Sequence, residues 1–431
     1  MGGWSFPKQR RNYWKETDHA VTTAIKAFTP EMFLFCMGTG ILSVLMQQNN
    51  YQFTGLKVIS TVFYVVDLVL FFIISAIFVT RWIMFPAKTR DLFETDVEQT
   101  AYLACSGIAL ATLVELTALI PGSTWHRWEY VSFSFWWVTV AYTLFGSAAV
   151  YWILIRHEQV HLHNLTPQLL YPLTAVLATC SAGSVVLHYT PLSTGLSLPV
   201  LVVSYMMLGM GFFLTLLTLS AYFTRLLAHQ TPPPDKVAAQ FIPVAALSNA
   251  AYAFMTLGYI AGPGRHLFAA YGKGIVRDRG VGLGFYATGV FFGWLTWGFA
   301  FFWVVLALIA YARDGRNANF TITMWASLYP IGVMGVACTQ IANDLDSPAF
   351  KGIASGILII AVIHWIWLVI YTVPMIISGE LFLSEAKEME KEEAEAKEKK
   401  YQEPSPNRTD SANSQVERRS NRLRASDETH V

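Results

Sequence analysis

Long apolar segments alternate along the chain with short polar ones. About ten of the apolar segments are long enough to cross the hydrocarbon core of a bilayer as a helix. They lie near residues 30–47, 58–82, 100–120, 131–155, 167–188, 198–227, 237–260, 283–311, 325–339 and 353–377. The pattern therefore predicts an all-α polytopic membrane protein with about ten transmembrane helices and the lipid bilayer as its surroundings.

The odd-numbered and even-numbered spans differ in composition. The odd-numbered spans hold the Gly, Pro, Ser, Thr and Asn residues, whereas the even-numbered spans are smoother and more aromatic. We expect five helical hairpins, each with one inner and one outer helix. Bent inner helices favour a central pore over a packed core, because freed backbone groups in lipid need a cavity or a protein partner.

The ninth span contains the strongest candidate for a constriction. Pro330 lies near its start and Gly332 and Gly335 follow. A proline inside a helix frees a backbone carbonyl and bends the helix. Tyr329 would then lie where a cavity is narrowest. The alternative, a packing kink with a core tyrosine, remains open at this stage.

Other odd-numbered spans supply further candidates for a substrate pathway. No Lys or Arg lies mid-membrane in these spans, so an anion would be bound by helix ends, amides and hydroxyls. Small residues and prolines permit close helix contacts or local unwinding. The candidates that lie on spans one, five and seven are Gly38, Thr39, Gly40, Pro172, Pro243 and Asn249.

Some ionisable residues lie well inside apolar segments, away from their ends. Glu115 is on the third span, where a carboxyl indicates a functional site that faces the interior. Burial favours its neutral form, so one hypothesis is that Glu115 takes up a proton during transport. The alternative is a hydrogen-bonded structural acid. Asp67 and His364 lie on even-numbered spans. We expect Asp67 to form a hydrogen bond to the neighbouring helix, and His364 to be a packing or interhelical residue.

Composition excludes several other functions. The chain is 54% hydrophobic and 14% charged, and its net charge of +1 gives no indication of a nucleic-acid partner. The four cysteines all lie in apolar segments, so we expect no disulfide framework. Phosphate-binding loops, zinc-spaced histidine pairs and nucleophile elbows are absent, which predicts no enzyme, no cofactor and no metal site. The histidines at 157, 161 and 163 give only a weak metal signal.

Charge divides the chain into three regions. Residues 1–29 form a basic tail, residues 30–378 the ten-helix transport domain, and residues 379–431 a charged helix followed by a disordered tail.

An even number of spans places both termini on one side of the membrane. Basic residues after the even-numbered spans indicate the cytosol, although the basic loop 262–282 breaks this rule. We expect no cleavable signal peptide and a multi-pass protein of the plasma membrane.

Short motifs in order along residues 28–373 resemble one family. The sequence is similar to the tellurite-resistance/dicarboxylate transporter family, which includes fungal malic acid permeases, fungal sulfite efflux pumps and plant guard-cell slow anion channels. The motifs are Phe28-Thr-Pro-Glu-Met-Phe33, Met37-Gly-Thr-Gly40, Leu165-Thr-Pro167 with Pro172, Ser204-Tyr205, Gly209-Met-Gly211, Pro232-Pro-Pro234, Phe241-Ile-Pro243, Leu257-Gly258, Trp325 and Tyr329-Pro330.

The resemblance implies a function. It implies a transporter of a small anion, either sulfite or a C4-dicarboxylate such as malate, often trimeric, with a pore in each protomer. A phenylalanine gates that pore in the family, and Tyr329 takes its place here. Gly107 and Glu115 stand where the sulfite pumps have proline and asparagine. Two alternatives remain, a passive gated anion channel regulated by its cytosolic tail and a membrane-embedded enzyme.

Overall fold

The fold is a bundle of membrane-length helices. A computed structural model of the protein describes Trp14, Val160 and residues 19–157, 165–229, 233–315 and 318–383, and no strand occurs among them. Ten helices in these ranges are long and apolar enough to cross a membrane, which confirms the predicted all-α class. They are Pro30–Gln48, Leu56–Met84, Val97–Thr124, Trp128–Arg156, Pro167–Tyr189, Thr194–Ala228, Pro234–Gly264, Arg279–Asp314, Ile322–Asp344 and Pro348–Ser378.

Burial alternates from one span to the next. In the odd-numbered spans 83–100% of the most apolar stretch is buried, whereas in the even-numbered spans the share is 11–39%. The even-numbered spans therefore expose long apolar side chains, among them Phe72, Phe145 and Phe213. Such a surface suits lipid, and the smaller, more polar residues of the odd-numbered spans lie inside.

The odd-numbered spans contact one another in a closed circuit. The first packs against the third, the third against the fifth, the fifth against the seventh, the seventh against the ninth, and the ninth against the first. The second, fourth, sixth and eighth spans each pack on the odd-numbered span before them. Two side-chain hydrogen bonds join the tenth span to the ninth: Trp325 Nε1 donates to Thr372 Oγ1 (2.9 Å), and Ser327 Oγ lies 2.8 Å from His364 Nε2.

The inner spans change helix type near their start. In four of them a 3₁₀ segment precedes the α-helix, and the third span is instead interrupted between two α-helices. Proline is tolerated at these junctions because the first turn of a helix does not use the missing N–H. The successive segments are Pro30–Met32 and Phe33–Gln48, Val97–Tyr102 and Cys105–Leu119, Pro167–Leu170 and Tyr171–Tyr189, Pro234–Phe241 and Ile242–Tyr259, and Ile322–Ser327 and Leu328–Asp344.

The chain outside the spans forms short helices and a second unit. The helices are Ala20–Ala27, Pro86–Thr95, Leu267–Tyr271 and the 3₁₀ turn Gly274–Arg277. The described residues of the second unit are Trp14 and residues 19–27 and 376–383. Within it Trp14 Nε1 donates to the Ile376 carbonyl at 3.1 Å. The predicted helix at 385–400 and the tail after it lie outside the described residues.

Glycines bring the seventh and eighth spans into backbone contact. A Cβ on Gly258 would lie 2.8 Å from the carbonyl oxygen of Phe285, and a Cβ on Gly289 would overlap the carbonyl oxygen of Phe254. Backbone atoms cannot move aside as a flexible side chain can. The approach of these two helices therefore requires the absence of a side chain, as in small-residue packing of membrane helices generally.

Gly289→Ala is expected to destabilise the protein, because its methyl group would force the seventh and eighth spans apart. Overpacking of this kind typically costs about 1–3 kcal/mol. Gly298 lies on the same helix with no atom within 4 Å of its missing Cβ. Gly298→Ala is the matched control and should be neutral or stabilising by up to about 1 kcal/mol, since alanine has the higher helix propensity. Thermal unfolding in detergent measures both, and equal effects would contradict the contact.

Candidate functional site

The motif Met37-Gly-Thr-Gly40 on the first span touches four other spans. A Cβ on Gly38 would lie 2.8 Å from Leu328 Cδ2 of the ninth span. The Thr39 hydroxyl accepts a hydrogen bond from the Trp365 indole of the tenth span at 3.2 Å. Thr39 therefore faces an outer helix, whereas Gly38 faces an inner one. The two glycines allow the close packing that the sequence predicted for this motif.

The candidate prolines lie in the first turn of their α-helices. Pro172, Pro243 and Pro330 are the second or third residues of Tyr171–Tyr189, Ile242–Tyr259 and Leu328–Asp344. In the ninth span the 3₁₀ segment ends at Ser327 and the α-helix begins at Leu328, just before Pro330. The Pro172 carbonyl accepts a hydrogen bond from Ser147 Oγ of the fourth span at 2.6 Å. These prolines mark helix starts rather than bends in the middle of a span.

Tyr329 and Asn249 meet in the interior of the bundle. Asn249 Nδ2 lies 3.3 Å from the Tyr329 hydroxyl, and both side chains are 2% exposed. Thr112 of the third span also lies close to the Tyr329 hydroxyl. Ser181 Oγ of the fifth span donates to the Asn249 carbonyl at 3.3 Å. Polar groups from the third, fifth, seventh and ninth spans thus form one buried set, which we call the central cluster (Thr112, Ser181, Asn249, Tyr329).

The first span reaches the same cluster through Gly40. A Cβ on Gly40 would lie 2.8 Å from Thr112 Cγ2 and 2.6 Å from Asp67 Oδ2. All five odd-numbered spans therefore meet within a short distance. Asp67 differs from its prediction: it is fully buried, and neither of its carboxyl oxygens has a hydrogen-bond partner among the described residues. The prediction of an interhelical hydrogen bond for Asp67 is therefore wrong.

Glu115 lies one turn beyond Thr112 on the third span. Its side chain is 6% exposed, and it interacts electrostatically with Tyr329 of the ninth span and Tyr252 of the seventh. No hydrogen bond to its carboxyl group occurs within the part of the chain that the structure describes. A buried carboxyl group without such a partner favours its neutral form, because ionisation would cost desolvation energy.

A polar cavity of about 240 Å³ opens at the C-terminal ends of the odd-numbered spans. Hydrogen bonds order its wall. Tyr252 donates to Gln48 Oε1 at 3.1 Å, and Asp344 Oδ1 accepts from Tyr286 at 3.0 Å and from Gln340 Nε2 at 2.9 Å. Because Glu115 interacts with both Tyr329 and Tyr252, it connects the central cluster with this cavity. The lining residues are Gln48, His188, Tyr189, Tyr252, Thr256, Tyr259, Tyr286, Thr339, Gln340, Asn343 and Asp344.

Buried polar residues close the opposite end of the odd-numbered spans. Tyr102 and Tyr171 are each 1% exposed, with ring centroids 5.5 Å apart, and Gln168 Nε2 lies 3.5 Å from the Tyr102 hydroxyl. Glu31 accepts a hydrogen bond from Thr323 at 2.6 Å and interacts electrostatically with both tyrosines. We call these four residues the N-terminal layer (Glu31, Tyr102, Gln168, Tyr171).

Sequence reasoning missed the N-terminal layer and the residues of the polar cavity. The overlooked signal is polar or aromatic residues at the ends of spans that are otherwise small and apolar, such as Gln48, Tyr102 and Asp344. The described residues hold no group of three His, Cys, Asp or Glu side chains that could bind a metal ion. The histidines at 161 and 163 lie outside them.

The hydrogen bond between Tyr329 and Asn249 can be measured by a double-mutant cycle. Tyr329→Phe and Asn249→Ala should each lower the free energy of unfolding, with a coupling energy of about 0.5–1.5 kcal/mol between them. Thermal unfolding of the purified protein supplies the values. Tyr205 is the matched control, because its buried hydroxyl has no partner among the described residues. Tyr205→Phe should be neutral or stabilising, and zero coupling between positions 329 and 249 would contradict the contact.

Comparison with known proteins agrees with this architecture. The family model described as SLAC1, voltage-dependent anion channel, matches residues 27–373. The sulfite efflux pumps SSU1 of Arthroderma benhamiae and Trichophyton rubrum are each 27% identical over 362 residues, which cover 83% of this chain and 93% of each pump. The malic acid transport protein of Schizosaccharomyces pombe is 21% identical over 364 residues, covering 83% of this chain and 80% of that protein.

These matches cover the same region as the short motifs, and the matched proteins are transporters or channels. The predicted resemblance to the tellurite-resistance/dicarboxylate transporter family, with its sulfite and malate branches, is thereby confirmed. Because the family model spans most of the chain, this protein belongs to the SLAC1 voltage-dependent anion channel family.

Proposed function

We propose that the protein moves a small anion across the membrane through the centre of the ring of odd-numbered spans in each protomer. The observation that carries this proposal is the central cluster. Thr112, Ser181, Asn249 and Tyr329 converge from four inner spans at a point that Glu115 connects with the polar cavity. Tyr329 lies near the constriction of the route. Glu115 then lies between that constriction and the cavity.

Helix ends and neutral donors supply the anion selectivity in this proposal. All five odd-numbered spans begin at the end that holds the N-terminal layer, so their dipoles make that end of the ring positive. Along the route Asn249, Thr112, Ser181 and Tyr329 offer amide and hydroxyl donors. Several weak donors suit passage better than one buried cation, since a transported ion must also leave its site.

Sulfite and a C4-dicarboxylate such as malate are the two proposed substrates. The sulfite efflux pumps and the malic acid transport protein among the relatives support this pair. The remaining expectations are also proposals: a homotrimer in the plasma membrane, both termini in the cytosol, a transport domain at residues 30–378 between two tails, and no enzymatic activity. The basic residues after the even-numbered spans support the orientation.

Uptake by the purified protein in liposomes tests the proposal directly. Labelled malate and sulfite are compared with and without a proton gradient, and protein-free liposomes are the control. We expect one of the two anions to enter faster than in the control, because the central cluster offers donors for a small oxyanion. Uptake driven by the gradient would identify a proton-coupled transporter. If neither anion enters, the proposed substrate class is wrong.

Glu115→Gln tests proton coupling. A glutamine keeps the shape of the side chain but cannot exchange a proton, so the proton gradient should no longer drive this variant to accumulate the anion above its equilibrium level. Glu115 has no hydrogen-bond partner among the described residues. This supports a role in proton coupling rather than the alternative role of a hydrogen-bonded structural acid. Glu115→Asp is the control, since it keeps a titratable carboxyl group and should retain the response. Persistent gradient-driven accumulation by Glu115→Gln would contradict the hypothesis.

A passive gated anion channel, regulated by the cytosolic tail, is the alternative function. The description of the matching family as an anion channel supports it. A channel conducts without a coupled proton and at rates far above those of a transporter. Single-channel recording in planar bilayers distinguishes the two, because unitary currents would be resolved only for a channel.

A further inference from the structure

Asp67 belongs to a regular stripe on the second span. Most of this helix faces outward, but Ser60, Asp67, Ile74 and Arg81 are buried at intervals of seven residues. Ser60 hydrogen-bonds with Ser43 of the first span (Oγ to Oγ, 2.9 Å), and Arg81 donates to the Phe28 carbonyl. The stripe therefore packs on the first span. Asp67, in its middle, is the one polar member without a hydrogen-bond partner among the described residues.

The carboxyl group of Asp67 lies against Gly40. Because Gly40 has no side chain, Asp67 Oδ2 and Thr112 Cγ2 approach the same point from opposite helices. Thr112 in turn lies close to the Tyr329 hydroxyl in the central cluster. One turn away, the Tyr64 hydroxyl lies 3.1 Å from Thr117 Oγ1, which joins the second span to the third. Asp67 thus lies at the contact of the first three spans, immediately behind the cluster.

The surroundings of Asp67 do not support a negative charge. The titratable groups that interact electrostatically with Asp67 are the Cys36 thiol of the first span and the Tyr64 hydroxyl of its own helix. On the third span the titratable group closest in sequence to Thr112 is Glu115. No cation interacts with Asp67 within the described residues. An unpaired carboxylate in such a site is strongly unfavourable, so this packing holds the neutral acid.

We propose that Asp67 is a second proton-binding residue, which positions the central cluster from behind and is distinct from Glu115. With its proton, Asp67 permits the tight packing of the first three spans around Gly40. Without it, the carboxylate needs water or a hydroxyl donor such as Thr112. Either would loosen that packing and release Tyr329 from Thr112. Transport is then slow at low pH and faster at high pH. This inference rests on the proposed transport function.

Asp67→Asn in liposomes tests the inference. Asparagine has the shape of the protonated acid, so the variant should transport the anion at the low-pH rate over the whole pH range. Transport is measured with equal pH on both sides, from about pH 5 to about pH 9, the range in which buried carboxyl groups titrate. The ratio of the wild-type rate to the variant rate should rise with pH, by up to about tenfold per pH unit for one proton. A constant ratio would overturn the proposal.

Ser60→Ala is the matched control. It removes the hydrogen bond to Ser43 one heptad away on the same stripe, so it should lower thermal stability without changing the shape of the pH profile. A purely structural role for Asp67 predicts the same behaviour for Asp67→Asn. If Ser60→Ala flattens the profile as Asp67→Asn does, the effect arises from loosened packing, and the proposal fails.

Infrared spectroscopy provides a second test that does not depend on a folded Asp67→Asn variant. In Glu115→Gln protein, the carbonyl band of a protonated carboxyl group should still be present at low pH. It should disappear as the pH rises through the midpoint of the rate increase. Absence of such a band over the whole pH range would overturn the inference. If the wild-type protein moves neither anion, the proposed function fails, while the band still reports on the proton of Asp67.

Discussion

Lipid offers no hydrogen bonds, and this constraint shapes the whole protein. A polar side chain or freed backbone group that faces hydrocarbon costs several kcal/mol, so such groups must face protein or a cavity. The odd-numbered spans, which hold the hydroxyls, amides and proline-marked helix starts, are accordingly the buried ones. The even-numbered spans cover them with aliphatic and aromatic side chains. The closed circuit of inner helices follows from this separation.

Glycines determine how closely the inner helices approach. Gly258 and Gly289 place the seventh and eighth spans in backbone contact, and Gly38 and Gly40 let side chains of neighbouring helices pack directly against the first span. In lipid the hydrophobic effect does not hold helices together, so close van der Waals packing has to do so. At Gly40 this packing also brings a carboxyl group of an outer helix next to the central cluster. Gly40 thus contributes both to the packing that stabilises the bundle and to the position of a carboxyl group beside the central cluster.

The two ends of the bundle differ in their electrostatics. The N-terminal layer lies where the helix dipoles are positive, and the polar cavity lies where they are negative and where Asp344 adds a carboxyl group. In the proposed function an anion is attracted at the first end and released at the second. The neutral donors between them, at Tyr329 and Asn249, suit transient binding. This polarity arises from the common direction of the five inner helices rather than from individual charges.

The sequence alone determined the number of spans, the family and the division into polar and lipid-facing helices, because length and hydropathy are local properties. It also indicated Tyr329, Asn249 and Glu115 as interior residues, since each lies on an odd-numbered span. Tertiary structure decided which side chains meet. Thr39 pairs with the tenth span, Asp67 points inward from an outer helix, and Gln48 meets Tyr252 from 204 positions away. These contacts depend on how each helix is rotated about its axis and on which helices lie beside it. Both are set by the packing of segments that are distant in the sequence. Of these contacts, only the inward position of Asp67 could have been predicted from the sequence, on the basis of the seven-residue spacing around it.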